Sequence, residues 1–167
     1  MDPNNMRIGH GYDVHRFEVE YVEAKPLILA GVVLADKMSL VAHSDGDVIL
    51  HAVCDAILGA LGEGDIGLHF PDTDLKFAEA ASSDLLGEVL TMMRARQHYL
   101  VNVDITVIAE VPKLTPHRLS MTSSLANLLE LPDHRVNLKA TTTEGLGAIG
   151  RKEGIGCAAV VLLAGNA

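Results

Sequence analysis

Residues 43–64 read HSDGDVILHAVCDAILGALGEG, and the architecture follows from this stretch. Val48 to Leu61 is an apolar run long enough for about four helical turns. Gly62 and Gly64 end it, and Ser44 and Asp45 before it carry side chains suited to an N-cap. A helix apolar nearly all round has to be buried on most sides. Only Asp47, His51 and Asp55 interrupt the run, at spacing i, i+4, i+8, which lines them up along one stripe. Burying such a stripe without partners is costly, so solvent, a partner strand or an ion must satisfy it. A solvated face carrying an Asp–His pair accounts for the stripe as well as a metal site does.

Working outward, Arg7 to His15 alternates like a strand, with Ile8, Tyr12 and Val14 on one parity and Gly9, Gly11, Asp13 and His15 on the other. A polar loop, Glu18 to Lys25, leads into Pro26–Ala30 and Val32–Leu34 around Gly31, a hairpin-like pair. Beyond Asp65–Asp74, Ser82 or Ser83 can cap a second helix running to about Gln97, with Leu85, Leu86, Val89, Leu90 and Met93 as its buried stripe. Leu100 to Ala109 alternates as a strand. Thr115 followed by Pro116 reads as an N-cap with proline at the first helical position, opening a third helix to about Leu129. Val136–Thr141 and Ile155–Leu163 are the last strand candidates. The order predicts an α/β (α+β) chain: one domain over residues 1–167, a two-layer sandwich of a mixed β-sheet with helices packed on one face, plus a small β-hairpin. Residues 1–5 read as a polar start, disordered or vector-derived.

The composition narrows the function. The chain has 167 residues, about the size of one domain, and 13 Lys+Arg against 22 Asp+Glu leave a formal charge of −9. That sign disfavours nucleic acid and anionic membranes as main partners. The longest uncharged apolar stretch, Gly154 to Ala167, is shorter than the roughly 20 residues that span a bilayer. Cys54 and Cys157 form no CxxC spacing, which fits a reducing, cytoplasmic setting. Aromatics are 4% with no Trp, too few for a base-stacking surface. An anionic small molecule remains possible where metals and backbone amides hold it.

Three segments carry chemistry. In Gly11-Tyr12-Asp13-Val14-His15, positions i and i+2 of a strand share a face, so the Asp13 carboxylate stands beside the His15 imidazole. A plain hydrogen bond between them explains the pair equally. With His51 added, two imidazoles and a carboxylate make a donor set typical of catalytic zinc, which keeps its fourth position open, and Asp55, one turn on, can orient His51 from behind. The third segment, Lys139 to Gly147 (KATTTEGLG), ends a strand in hydroxyls, a carboxylate and glycines that suit phosphate oxygens. Glu144 can add a hard cation. Ordinary turn capping is the alternative for those threonines, and Lys113 reads either as a phosphate-facing charge or as a solvated lysine.

The ordered set RIGHGYDVHRF, AHSDGDVILHAVCDAILGALGEGDIGLHFPDTD, NVDITVIAEVPKL, NLKATTTEGLG and GRKEGIGCAAV resembles the 2-C-methyl-D-erythritol 2,4-cyclodiphosphate synthases, a family of the non-mevalonate isoprenoid pathway. The likeness spans residues 6–164. It implies a homotrimer with active sites between subunits. Asp13, His15 and His51 match the zinc ligands, with Asp13 and His15 also at the substrate. His43 and Ser44 match contacts to the diphosphate, His43 also in a catalytic role. Asp65, Ile66 and Gly67, then Phe70, Pro71, Asp72, Thr73 and Asp74, match the part that holds the methylerythritol moiety. Ala109, Glu110, Val111, Pro112, Lys113, Leu114 and Thr115 match the cytidine pocket of the adjacent subunit. Thr141, Thr142, Thr143 and Glu144 complete that pocket, with Thr142 catalytic and Glu144 at a second ion, Mg2+ or Mn2+. Ala148 stands where the family usually has Phe, near a threefold cavity able to take an isoprenoid diphosphate; Ile8, Tyr12, Arg151 and Glu153 match positions lining that region.

The reaction so implied is that of a phosphorus–oxygen lyase: 4-diphosphocytidyl-2-C-methyl-D-erythritol 2-phosphate is cyclised and CMP released. A zinc hydrolase is the rival from the same broad class, and it lacks an HExxH-type base. A non-catalytic trimer binding an isoprenoid diphosphate is the rival from another class.

Overall fold

The computed structural model of the chain describes residues 5–71, 73–74 and 80–165. Strand β1 (Met6–Arg16) leads to a hairpin of β2 (Ile28–Leu29) and β3 (Val32–Val33), then to helix α1 (Val48–Leu61) and the one-turn helix α2 (Ile66–His69). Helix α3 (Ser82–Ala95), strand β4 (His98–Ile108), helix α4 (Arg118–Leu128), strand β5 (Val136–Thr141), the single turn α5 (Gly147–Gly150) and strand β6 (Gly154–Gly165) complete it. The main sheet runs β1-β6-β4-β5, with β4 and β5 parallel and the other neighbours antiparallel. This is the mixed sheet with a separate hairpin that the sequence predicts.

The helices α1, α3 and α4 cover one face of the sheet. That face is aliphatic in β6 (Ile155, Cys157, Ala159, Val161, Leu163), β4 (Val103, Ile105, Val107) and β5 (Val136, Leu138), all buried. In β1 the same face belongs to the glycine parity: Gly9 pairs with Val161, Gly11 with Ala159 and Asp13 with Cys157. The apolar parity points the other way, leaving Ile8, Tyr12 and Val14 exposed at 74, 50 and 52%. The reason is steric. A Cβ on Gly9 would lie 1.7 Å from the Ala56 carbonyl oxygen, and one on Gly11 2.0 Å from that of Ala52, so α1 rests directly on the β1 backbone.

Several helix starts differ from the sequence reading. The N-cap of α1 is Asp47, not Ser44 or Asp45; its Oδ1 accepts from the N–H groups of Ile49 and Leu50 at 3.1 and 3.2 Å. Its other oxygen accepts from Gly31 N–H at 2.6 Å, which ties the β2–β3 turn, where Ala30 and Gly31 both have positive φ, to the helix. Asp47 is fully buried, and burial pushes its carboxyl up to about 6 against those backbone donors. The cap of α3 is Ala81, with no side-chain bond; Ser82 is turned elsewhere, and the helix ends at Ala95. Thr115 caps nothing by its side chain, since Pro116 sits in a 3-10 turn, Thr115–His117, ahead of α4. For Asp45 and Ser82 the cause is shared: a short polar side chain near a helix start has a stronger partner in tertiary structure, here each other.

The contact of α1 with β1 sets a clear expectation. Gly9→Ala should cost at least about 3 kcal/mol, because backbone atoms must move, lowering Tm by roughly 6–12 °C in a chain of this length. Gly87→Ala, on α3 where an added Cβ meets nothing within 4 Å, should instead stabilise by about 0.5–1 kcal/mol. Thermal melts of the two variants decide it, and an unchanged Tm for Gly9→Ala would contradict the close approach.

Candidate metal centre and nucleotide pocket

Because α1 lies on the glycine face of β1, the polar groups further along that face meet the helix. Asp13 Oδ2, His15 Nε2 and His51 Nδ1 form a nearly equilateral triangle: 3.0 Å from Asp13 to His15, 3.1 Å from Asp13 to His51 and 3.1 Å between the imidazoles. Two bonds of about 2.0–2.1 Å at a tetrahedral angle span about 3.3 Å, so these donors fit a divalent metal such as zinc. All three are half-buried. Burial raises the Asp13 carboxyl, but hydrogen bonds to His15 and His51 outweigh it and hold Asp13 well below the usual carboxylate range. For His15 burial acts downward, and the bond to Asp13 with its charge moves the imidazole above its ordinary value. His15 Nδ1 is oriented from behind by the Val41 carbonyl at 3.3 Å.

The stripe Asp47–His51–Asp55 separates into three roles. Asp47 is the cap, His51 joins the triad, and Asp55 Oδ1 accepts from Ile66 N–H at 2.7 Å, tethering α2. Asp55 therefore does not stand behind the His51 ring as the spacing predicts. That place belongs to Ser82 and Ser44, at 2.9 and 3.3 Å from His51 Nε2. Ser82 is not singled out by spacing along the chain, because it is 31 residues from His51.

The triad opens into a cavity of about 370 Å³ whose lining includes His43, Ser44, Ile66, Gly67, Phe70 and Leu85. His43 is exposed and Ser44 half-buried. Asp65 caps α2 through Leu68 N–H at 2.9 Å and does not line the cavity, nor do Pro71, Thr73 and Asp74 among the lining residues. Asp72 lies outside the described residues.

A second pocket of about 180 Å³ is lined by Ala109, Glu110, Pro112, Lys113, Leu114 and Thr115 with Ala140, Thr141 and Thr142. It sits at the β5 edge of the sheet, while the triad sits at the β1 edge, with β6 and β4 between. Three strand spacings put the edges roughly 14 Å apart, and the two pockets share no lining residue. Val111 is half-buried, packed against the core, and does not line it. Glu110 is occupied with shaping the loop: its Oε1 accepts from the N–H groups of Thr143 and Gly145 at 3.0 and 3.2 Å. Those bonds, Gly145 first, hold its carboxyl below the usual range. Thr143 also donates its hydroxyl to the Leu146 carbonyl at 2.8 Å, and Thr142 donates to Glu144 Oε1 at 3.1 Å. Glu144 itself takes a positive φ of 53°, which turns the chain at the hydroxyl run. Ala148 is exposed in α5, and the exposed Arg151 pairs with Glu153 at 2.7 Å; both stand apart from the two pockets. Burial pushes the thiols of Cys54 and Cys157 upward, so neither is a ready nucleophile.

The model of the YgbB family matches residues 6–164. The chain is 52% identical over 158 residues to the curated 2-C-methyl-D-erythritol 2,4-cyclodiphosphate synthase of Idiomarina loihiensis, covering 95% of this chain and 97% of that one. It is 54% identical over 158 residues to the protein of that name from Aliivibrio salmonicida, with the same coverage. Among solved structures it is similar to the bifunctional IspDF from Campylobacter jejuni, with a TM-score of 0.90 and 48% identity over 96% of this chain, which spans 42% of that longer chain. It is also similar to the CDP complex of IspF from Plasmodium falciparum, with a TM-score of 0.84 and 36% identity, covering 99% of this chain and 100% of that one. Sequence match, fold and site geometry agree, and the chain belongs to the YgbB family.

Proposed function

We propose that the protein is a cyclodiphosphate synthase: it converts 4-diphosphocytidyl-2-C-methyl-D-erythritol 2-phosphate into 2-C-methyl-D-erythritol 2,4-cyclodiphosphate and CMP. The observation that carries this reading is the Asp13–His15–His51 triangle facing a cavity beside His43 and Ser44. The substrate brings its own nucleophile. A 2-phosphate oxygen attacks the β-phosphorus, a new P–O bond closes the ring, and the bond from the β-phosphorus to the bridging oxygen breaks, leaving CMP with the electron pair. Serine or cysteine nucleophiles are not needed, in keeping with the inert thiols. Asp13, His15 and His51 would hold zinc and Glu144 magnesium or manganese, and the bound ions would supply Lewis-acid neutralisation of the diphosphate oxygens. Glu144 with neighbouring hydroxyls offers the hard oxygen donors that such a second ion takes.

The rest falls to the chain. Phe70, Leu85 and Ile66 give the cavity an apolar wall that limits water around the reacting phosphoryl group. His43 and Ser44 hold its oxygens, and positioning of the two phosphates supplies much of the rate. The 109–115 segment and Thr141–Glu144 hold the cytidine end, with Thr142 turning its hydroxyl proton from Glu144 Oε1 to the α-phosphate when substrate is bound. Two half-sites at opposite edges of one sheet favour a homotrimer in which the triad of one subunit faces the nucleotide pocket of the next. The exposed apolar residues Ile8, Tyr12, Val14 and Val160 support an interface on the helix-free face.

Protons compete with the metal. His15 binds its proton more tightly in the fold than its ordinary value of 6.5, and Asp13 more weakly than 3.8. In metal-free protein the Asp13 contribution is therefore present above about pH 3.8 and lost as pH falls below it, while the His15 contribution is full below about pH 6.5 and lost as pH rises through the folded value. Denaturant midpoints of metal-free Asp13→Asn and parent should differ most between about pH 4 and 6.5, and less toward pH 8; a difference growing with pH would contradict the pairing. His51→Ala should lose zinc, with activity down at least about 10²-fold. It should regain activity when mixed with Thr142→Ala, Glu144→Ala subunits. Random mixing at equal amounts makes roughly three-quarters of trimers mixed, each with one intact site in three, or about a quarter of parental activity. No recovery under verified subunit exchange would show that each chain builds its own site.

A further inference from the structure

Behind the triad lies a relay of two side chains that join α3 to the metal face of α1. Ser82 is fully buried at the first turn of α3. Its hydroxyl donates to Asp45 Oδ1 and its backbone N–H donates to Asp45 Oδ2 at 3.0 Å. Asp45 is fixed in turn: its own N–H donates to the Ala80 carbonyl at 3.3 Å, and its Oδ1 accepts from Asp47 N–H at 3.2 Å. With the Ser82 proton committed to the carboxylate, Ser82 Oγ has only lone pairs to offer His51 Nε2 at 2.9 Å. Ser44 Oγ, 3.3 Å from the same nitrogen, already accepts from Gly46 N–H at 3.1 Å.

We propose that Asp45 and Ser82 are positioning residues that fix the tautomer and the angle of His51. The chain carboxylate–hydroxyl–imidazole keeps a proton on Nε2, so that when the Nδ1 proton shared with Asp13 in the metal-free protein is displaced, the Nδ1 lone pair faces the space between Asp13 and His15. That is the state a metal ligand requires, because a ligating imidazole is oriented and made more basic by an acceptor on its other nitrogen. It also explains the burial of Ser82: the α3 terminus gains no cap from it, and its hydroxyl is given to the site. The same link makes the start of α3 part of the metal centre.

This rests on the metal reading of the triad, so the test separates the two. Zinc affinity is measured by chelator competition on the full-length chain for parent, His51→Ala, Ser82→Ala, Asp45→Asn and Ser82→Thr, and the visible spectrum is recorded for the cobalt-substituted proteins. Ser82→Ala should weaken zinc about 10- to 100-fold and alter the cobalt spectrum. Asp45→Asn should act in the same direction, and the Ser82→Ala, Asp45→Asn double variant should lose little more than Ser82→Ala alone, because the two act in one chain. Ser82→Thr, which keeps the hydroxyl, should restore most of the affinity. Should the buried site reject threonine, the cobalt spectrum of Ser82→Ala still reports the ligand field. A Ser82→Ala protein with zinc affinity within about twofold of parent and an unchanged cobalt spectrum would overturn the relay while leaving the triad intact. A parent that binds no zinc, or a His51→Ala protein that binds as well as parent, would overturn the metal reading and the relay with it.

Discussion

Helix α1 approaches the β1 backbone so closely that no side chain fits between them at Gly9 and Gly11, and the site depends on that approach. His51 precedes Ala52, whose carbonyl faces Gly11, and Asp13 and His15 continue the same face of the strand. Ordinary side chains at these two glycines would push the helix outward by about the width of a residue layer, and the three donor atoms would no longer lie 3.0–3.1 Å apart. The cost of two glycines in a strand, weak packing and extra chain entropy, is offset by the apolar burial of a helix almost wholly enclosed.

The same face reversal explains the other side of the sheet. With the glycine parity turned to α1, the large residues of β1 point away from the core and leave an apolar surface that a single chain does not cover. Exposed Ile8, Tyr12 and Val14 lie on β1 and Val160 on the neighbouring β6, opposite His10, and together they leave apolar area on the helix-free face. The net charge of −9 has its own consequence: it repels anions, so any anion the chain binds has to be met locally by cations or by N–H and O–H donors.

Much of this was legible in the residues. The strand at Arg7–His15, the apolar helix, the later helices and the closing strands all follow from periodicity, and motif order pointed to the family. What the residues alone could not show is which parity of β1 meets the helix, because alternation defines two faces without ranking them; the packing at Gly9 and Gly11 decides it. Helix caps were misplaced for a related reason. Asp47 and Ser82 are both chemically competent caps, and tertiary partners, Gly31 for one and Asp45 for the other, determine how each is used, while Thr115 is set apart from α4 by a 3-10 turn. The stripe Asp47–His51–Asp55 shows the limit most clearly: three polar residues on one helix face acquire three unrelated partners, 16, 38 and 11 residues away in sequence.

The most direct measurement of the central claim is a crystal structure of the protein with zinc and CDP, using anomalous scattering at the zinc edge. The account predicts one anomalous peak bonded at about 2.0–2.2 Å to Asp13 Oδ2, His15 Nε2 and His51 Nδ1, with the cytosine held by the 109–115 segment of a neighbouring subunit. A peak that misses His51, or a nucleotide whose base lies against the subunit that supplies the metal ligands, would contradict it.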